Sequence, residues 1–213
     1  FNDTTRVQLD GTGYLYRLVG PAADSTTLGH GVTGLLTQVT SPQGSQKSYT
    51  FDSDGRLIAS SGPEGLGFTF AKTDSLLSYR VDAVTPGGRV RTYETQWLDS
   101  GVERRVVTDP SGLTTTTDVA PDGSQVTTTP TGMVVTSTFM PDPALGSQAR
   151  RLRSTELVSP EGRTFQIIIG RGVTLSDSGG SIFVTSSVDT IQINGNTYTT
   201  SFDRATNTYA TTS

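Results

Sequence analysis

Residues 41–65 read SPQGSQKSYTFDSDGRLIASSGPEG, and this stretch decides the fold. It begins and ends with a copy of the tripeptide Pro-Xaa-Gly, at Pro42/Gly44 and Pro63/Gly65. Proline fixes φ near the value needed at the second position of a turn, and glycine accepts the positive φ that closes it. Each copy therefore predicts the tip of a β-hairpin.

The same tripeptide recurs along the sequence and takes up seven of the ten prolines. The copies are Pro42/Gly44, Pro63/Gly65, Pro86/Gly88, Pro110/Gly112, Pro121/Gly123, Pro130/Gly132 and Pro160/Gly162. The first three intervals are 21, 23 and 24 residues, which is enough for two ordinary strands and two reversals. The repeat therefore predicts an array of hairpins.

The segments between the tips have the composition of strands. They are rich in Val, Thr and aromatic residues, as in residues 90–93, 106–108, 126–129 and 134–139. No segment has a convincing helical period. Near the end, Asn194-Gly195 separates two strand-like runs and predicts a tight two-residue hairpin.

The overall composition favours folded β-structure over helices or disorder. The 213 residues are 32% hydrophobic, and 24 of them are Gly. Disorder is typical of low hydrophobicity with high net charge, whereas only 17% of these residues are charged, with a net charge of -4. We therefore expect an all-β fold in which antiparallel hairpin repeats are wound as a curved sheet or solenoid.

Charge and cysteine content exclude several functions. The mild acidity argues against binding to nucleic acid or to anionic lipid, which need clustered Lys and Arg. The basic groups Arg104-Arg105 and Arg150, Arg151 and Arg153 are small and are interpreted as solvated faces. The absence of cysteine excludes disulfides, thiolate metal sites and cysteine nucleophiles. No apolar run approaches the roughly 20 residues that span a bilayer, so no membrane insertion is expected.

Two segments interrupt the rhythm and are interpreted as longer loops or insertions, residues 22–34 and 140–153. The predicted organisation is a divergent opening repeat and loop at 1–34, β-repeats at 35–170 with the insertion at 140–153, and a divergent repeat with a terminal hairpin at 171–213. All three would form one continuous array. We expect the chain to be a piece of a longer polypeptide, with export signals, anchors and any effector domain outside it.

The segment Ser48–Leu57, SYTFDSDGRL, resembles the Rhs/YD repeat. That pattern has an aromatic-Asp pair, two variable residues, Gly-Arg-Leu and a later glycine. Here Phe51 stands where the family usually has tyrosine, and Gly65 supplies the later glycine. Residues 159–163 and the aromatic-Asp pair Phe202-Asp203 are weaker copies.

The resemblance implies a structural role. In this family, repeats form long antiparallel sheets that wind into a hollow shell around a toxic C-terminal polypeptide, as in Tc-type and Rhs toxins, or extracellular modules, as in teneurins. The implied partners are neighbouring repeats of the same polypeptide, an encapsulated toxin or other copies of the chain. The implied location is extracellular or at the cell surface, in a bacterium. No cofactor is implied.

The candidate catalytic and binding residues favour ordinary turns. His30 is the only histidine and lies in a glycine-flanked segment without a Gly-Xaa-Ser-Xaa-Gly partner, so we predict no hydrolase. Residues 29–34 have the glycine spacing of dinucleotide sites, but neither a clear strand before them nor a helix after them. Asp52-Ser53-Asp54-Gly55 lacks the later ligands of a calcium loop and is predicted to be a turn capped by Asp. We predict neither metal ligands nor cofactor-binding residues.

Asp109 is the one residue with a catalytic alternative. Residues Asp109–Leu113 read Asp-Pro-Ser-Gly-Leu, and the resemblance implies a role because many Rhs shells release their toxin by self-cleavage near such a segment. More turn-and-strand pattern follows it here, so a hairpin turn is the preferred interpretation. Asn2-Asp3-Thr4 has the glycosylation acceptor pattern, which we expect to be idle in a bacterial protein.

Three functions remain open at this point. The favoured one is a structural scaffold, not an enzyme, that encloses or displays another polypeptide. The second is an extracellular filament or an adhesion or glycan-binding module that self-associates through strand edges. The third is an autoproteolytic shell segment that depends on Asp109.

Overall fold

The computed structural model describes residues 4–212 and has eighteen β-strands and one short 3₁₀ turn. The glycosylation pattern at Asn2 lies outside these residues. The strands are β1 (Arg6–Leu9), β2 (Leu15–Val19), β3 (Ser25–His30), β4 (Leu36–Thr40), β5 (Gln46–Phe51), β6 (Leu57–Ser61), β7 (Gly67–Ser75), β8 (Ser78–Val84), β9 (Val90–Trp97), β10 (Glu103–Thr108), β11 (Thr114–Val119), β12 (Gln125–Thr128), β13 (Val134–Asp142), β14 (Gly146–Val158), β15 (Thr164–Ser178), β16 (Ser181–Ile193), β17 (Asn196–Asp203) and β18 (Thr208–Thr212). The predicted all-β class with antiparallel hairpins is confirmed. Pro63–Gly65 forms the 3₁₀ turn, and no described helix is long and apolar enough to span a membrane.

The chain divides into two compact units. The first consists of residues 1–93 and 109–111, and the second of residues 94–108 and 112–213. In the first unit β1 to β8 form a meander, because each strand pairs antiparallel with the next. In the second unit β10 to β18 do the same.

At least ten of the described connections share one turn geometry. The first residue donates its N–H to the carbonyl of the fifth, and the fourth donates to the carbonyl of the first. The fourth residue always has positive φ, and it is glycine in every copy except Ala23, whose φ is 63°. This is the three-residue hairpin loop with a glycine bulge. The turns begin at Asp10, Gly20, Gly31, Ser41, Asp52, Thr85, Leu98, Ala120, Thr129 and Ser159.

Proline occurs regularly in the turns at one end of the strands in each meander. Successive strands of a meander run in opposite directions. The connections that follow even-numbered strands therefore lie at one end of the strands, and those that follow odd-numbered strands lie at the other end. Every such connection from β2–β3 to β14–β15 has proline at its second position, namely Pro21, Pro42, Pro63, Pro86, Pro110, Pro130 and Pro160. The intervals of 21, 23 and 24 residues between the predicted tips are therefore pairs of strands. Pro121 is the exception, because it follows the odd-numbered strand β11.

The interpretation as loops is wrong for two segments, because the structure places strands in both. Residues 22–34 contain β3, and residues 140–153 contain the end of β13 and much of β14. Gly29 and Pro141 interrupt the alternation of side chains from which strands are predicted in these segments. Both residues nevertheless pair across the sheet, Gly29 with Gln38 and Pro141 with Arg150. Residues 170–188, which match no repeat, belong to the long β15–β16 hairpin.

The strands enclose no conventional core. Ala83 is the only buried hydrophobic residue in the described part of the chain, and no large side chain there is fully buried. Most apolar side chains on the strands are half-buried, as expected for one side of a sheet that is a single layer thick. Packing therefore comes mainly from neighbours across and along the strands.

Candidate functional site

The sheet of the first unit has one apolar face. Cross-strand partners share a face, and side chains alternate along each strand. Leu28 pairs with Val39, and Phe70 pairs with Ala83 on this face. The opposite face carries small and polar partners, such as Thr27 with Thr40 and Ser48 with Ser61. The unit is therefore amphipathic.

The second unit repeats this division within its own sheet. Val135, Leu157 and Phe165 follow one another across three strands on one face. On the same face Ile191 pairs with Ile169 and with Tyr198. The other face has runs of hydroxyl side chains, such as Thr190, Thr199 and Thr212.

Within each unit the described strands contact mainly the strands next to them in the sheet, so no second layer of the same unit covers its apolar face. Phe68, near the start of β7, is 46% exposed, and Val7 in β1 is 62% exposed. A sheet with one apolar face is stable when that face packs against another element. The arrangement therefore suits contact with further polypeptide.

The first unit also has an open depression of about 490 Å³ beside the 3₁₀ turn. Its lining includes Ala59, Leu66, Phe68 and Pro86. Glu64 in this turn has a φ of 58°, so the turn departs from the shared geometry. The depression forms because small residues occupy this part of the sheet.

Four charged residues form an ionic group on the long strands, Asp142, Arg151, Arg171 and Asp189. Arg151 lies 3.5 Å from the Asp142 carboxylate and 3.7 Å from that of Asp189, and Arg171 lies 3.5 Å from Asp189. The N–H of Ala144, aided by that of Leu145 and by both arginines, holds the pKa of Asp142 below its ordinary value. The group ties β13, β14, β15 and β16 together.

This ionic group was missed by sequence reasoning. Arg151 was predicted to lie on a solvated face, but its side chain is only 22% exposed. Its neighbour Arg150 is also engaged, because it donates from Nη1 to the carbonyl oxygen of Asp122 at 2.7 Å. No local signal in the sequence pairs Arg151 with Asp142, because the register of β14 against β13 shifts between Ser154 and Leu152.

Asp109 lies in the turn between β10 and β11. Its Oδ1 accepts hydrogen bonds from the backbone N–H of Ser111 at 2.8 Å and from its hydroxyl at 2.6 Å. Asp122 in the next turn makes the same two contacts with Ser124, at 2.9 and 2.7 Å. The same capping of the residue two positions on is made by Asp10, Asp52, Asp142 and Asp203. The geometry at Asp109 is thus that of a turn cap.

The other sequence candidates also lie in or beside turns. His30 is the last residue of β3, and its ring stacks on Tyr14 at 5.2 Å. The glycine-rich segment 29–34 leads into strand β4. Asp52 accepts from the N–H groups of Asp54 and Arg56, so the predicted Asp-capped turn is confirmed. Among residues 4–212, no group of three or more His, Cys, Asp or Glu side chains is placed to hold a metal ion.

Comparisons with known proteins give one family match. No curated protein matches the sequence. Three similar solved structures are crystal structures of TcdB2-TccC3-Cdc42, of TcdB2-TccC3-TEV, and of TcdB2-TccC3 without its hypervariable C-terminal region. Identities are 11%, 12% and 11%, with TM-scores of 0.30, 0.30 and 0.21. Each match covers 97% of this chain but only 16%, 16% and 18% of the other.

The family match falls on the stretch that predicts the fold. The RHS repeat model matches residues 32–66, which contain β4, β5, β6 and the three turns around them. The same residues carry the Phe51-Asp52 pair and the sequence Gly55-Arg56-Leu57. Residues 32–66 of this chain therefore match the RHS repeat in both sequence and turn positions.

Proposed function

We propose that this chain is a structural segment of a larger secreted or cell-surface RHS-repeat protein, in which it encloses or displays another polypeptide. The observation that carries the proposal is the RHS repeat at residues 32–66, set in a chain whose turns repeat one geometry. The uncovered apolar faces supply the surface for such contact, because exposed apolar area on a sheet favours packing against further polypeptide.

Imaging of the full-length protein tests this proposal. Negative-stain electron microscopy is expected to give closed hollow particles, with density inside that disappears when the sequence downstream of this chain is deleted. Solid globules or monomers with no enclosed density would contradict enclosure. Extended fibres would instead favour the second function.

That second function is self-association through strand edges. The observation in its favour is β18, in which all five residues are exposed and Tyr209 is 73% exposed. An exposed edge strand offers unpaired backbone groups to another chain. Light scattering after size-exclusion chromatography would show oligomers of the wild type and monomers of Tyr209→Lys. Tyr198→Lys, in the interior strand β17, is the matched control and should leave the oligomers unchanged.

For Asp109 we propose a structural role in its turn. We expect Asp109→Asn in the full-length protein to leave any proteolytic processing unchanged. Asp122→Asn is the matched control, because both carboxylates cap a serine two residues on with the same two hydrogen bonds. Loss of processing in Asp109→Asn but not in Asp122→Asn, read on a denaturing gel, would contradict the structural role and favour autoproteolysis.

A further inference from the structure

The connection between β16 and β17 has a chemical property that the scaffold function does not use. Asn194 and Gly195 form a two-residue turn between the paired residues Ile193 and Asn196. Their φ values are 46° and 91°, as a primed hairpin turn requires. Asn-Gly is also the dipeptide in which an asparagine side chain is least shielded from the following backbone nitrogen, because glycine has no side chain.

Asn194 is held in this turn by a third strand. Its backbone N–H donates to the carbonyl of Gln166 at 3.0 Å, and its Oδ1 accepts from the N–H of Gln166 at 2.8 Å. These two bonds extend the β15–β16 ladder beyond its last residue pair, Ile167 with Ile193. We call them the Asn194–Gln166 clasp. The clasp fixes the side-chain amide against β15.

We propose that Asn194 is a site of spontaneous deamidation whose rate is set by opening of the Asn194–Gln166 clasp. In the reaction the backbone nitrogen of Gly195 attacks Cγ of Asn194. The new N–Cγ bond closes a succinimide, the Cγ–Nδ2 bond breaks, and the side-chain nitrogen leaves as ammonia after taking up the proton from Gly195. Water then opens the ring at either carbonyl and gives aspartate or isoaspartate.

The clasp opposes the first step, because Cγ cannot turn towards the nitrogen of Gly195 while Oδ1 accepts from Gln166. The reactive geometry therefore requires local opening at the β16–β17 turn. The chain contains an internal comparison in Asn207. This residue also has positive φ, 53°, but Thr208 follows it, and a β-branched side chain hinders attack by the backbone nitrogen.

The two products differ in their effect on the fold. Aspartate keeps an oxygen that accepts from the N–H of Gln166, so the clasp remains. Isoaspartate adds a methylene to the main chain between Ile193 and Gly195, which shifts the register of one strand against the next. Conversion to isoaspartate therefore loosens the β15–β16–β17 ladder, whereas conversion to aspartate preserves it.

The test follows deamidation of the intact chain at mildly alkaline pH, folded in buffer and unfolded in guanidinium chloride. Peptide mapping with mass spectrometry and isoaspartyl labelling gives separate rates at Asn194, Asn196 and Asn207. We expect conversion at Asn194 to lead in both states, and to be at least about tenfold faster when unfolded, because two hydrogen bonds must open in the folded chain.

Each other outcome overturns the proposal. Equal rates at Asn194 in the folded and unfolded chain would show that the clasp does not control the reaction. Rates at Asn196 or Asn207 as high as at Asn194 in the unfolded chain would show that the site is not selective. Asn194→Asp serves as the reference for the aspartate product, and amide exchange at Gln166 should stay slow in it and become faster in the isoaspartate form.

Discussion

The turn glycines have two separate structural requirements. Gly34 and Gly44 both have positive φ, 79° and 83°, which a residue with a side chain adopts at a cost. At Gly34 an added Cβ would also overlap the ring of Tyr14, which belongs to the neighbouring turn at the same end of the strands. At Gly44 an added Cβ would meet open space. The two positions therefore separate backbone strain from contact between turns.

We expect Gly44→Ala to lower the free energy of unfolding by about 1–2 kcal/mol and Gly34→Ala to lower it by more. The additional loss measures the packing of Tyr14 against the turn at residues 31–35. Urea unfolding followed by circular dichroism checks both variants. Equal losses would show that Tyr14 moves aside without cost.

The dependence of the fold's stability on acid pH can also be assigned to individual carboxylates. Hydrogen bonds from Arg104 lower the pKa of Asp118, and those from Arg80 and Thr92 lower the pKa of Asp82. A carboxylate whose pKa is lower in the folded chain than in the unfolded chain stabilises the fold above the unfolded value, about 3.9. That stabilisation is lost as pH falls through the lower, folded value.

We therefore expect a constant melting temperature between about pH 6 and 8 and a fall below about pH 5. Asp118→Asn should flatten part of this fall, because it removes one of the titrating groups. Calorimetry across the pH range makes the measurement. A melting temperature that rises on acidification, or an unchanged slope in Asp118→Asn, would contradict this assignment.

The ionic group links the long strands β13, β14, β15 and β16. Asp189 is the anion shared by Arg151 and Arg171, so its loss leaves two guanidinium groups without their common partner. We expect Asp189→Asn to reduce the free energy of unfolding by about 1–2 kcal/mol, between the values for exposed and buried pairs. The measurement is denaturant unfolding at neutral pH.

Asp177→Asn is the control for this prediction. Asp177 lies near the end of β15, beside the turn of the β15–β16 hairpin, and its Oδ1 accepts from the N–H of Gly180. It therefore tests a carboxylate outside the ionic group. If Asp177→Asn lowered the free energy of unfolding as much as Asp189→Asn, the ionic group would contribute no more to stability than a carboxylate outside it.

At this scale the sequence predicts the regular turns well and the long strands poorly. Proline and glycine act locally, so the tips at Pro42 and Pro160 follow from their own chemistry. The turn that begins at Gly20 is not recognised from the sequence, because Ala23 takes the position that glycine has in the other copies. The ionic group depends on register across four strands, and the shift near Leu152 sets the part of that register between β13 and β14. Such pairing is not encoded in local periodicity.

In the part of the chain that the structure describes, strands pair with their neighbours in sequence, and Ala83 is the only buried hydrophobic residue. In repeat proteins each strand is stabilised by the strands beside it, so parts of the chain can unfold separately. The two compact units meet in sequence inside β9, between Tyr93 and Glu94. The single tryptophan, Trp97, belongs to the second unit.

We expect urea unfolding followed by Trp97 fluorescence to differ from unfolding followed by far-UV circular dichroism, because fluorescence reports on the second unit alone. Hydrogen exchange with mass spectrometry should give different protection for residues 4–93 and 112–212 in mid-transition. Coincident curves, with the steep denaturant dependence typical of 213 residues unfolding at once, would contradict separate units.

Pairing of consecutive strands also affects how the chain acquires its structure. Ser48 meets Ser61, and Thr116 meets Thr128, so a strand needs only its immediate successor to complete a ladder. Loop closure over such short distances costs little entropy, and local topologies fold quickly. A chain emerging from a ribosome or an export channel can add one strand at a time to the preceding edge. The amino-terminal strands can therefore be ordered before the carboxy-terminal ones have emerged.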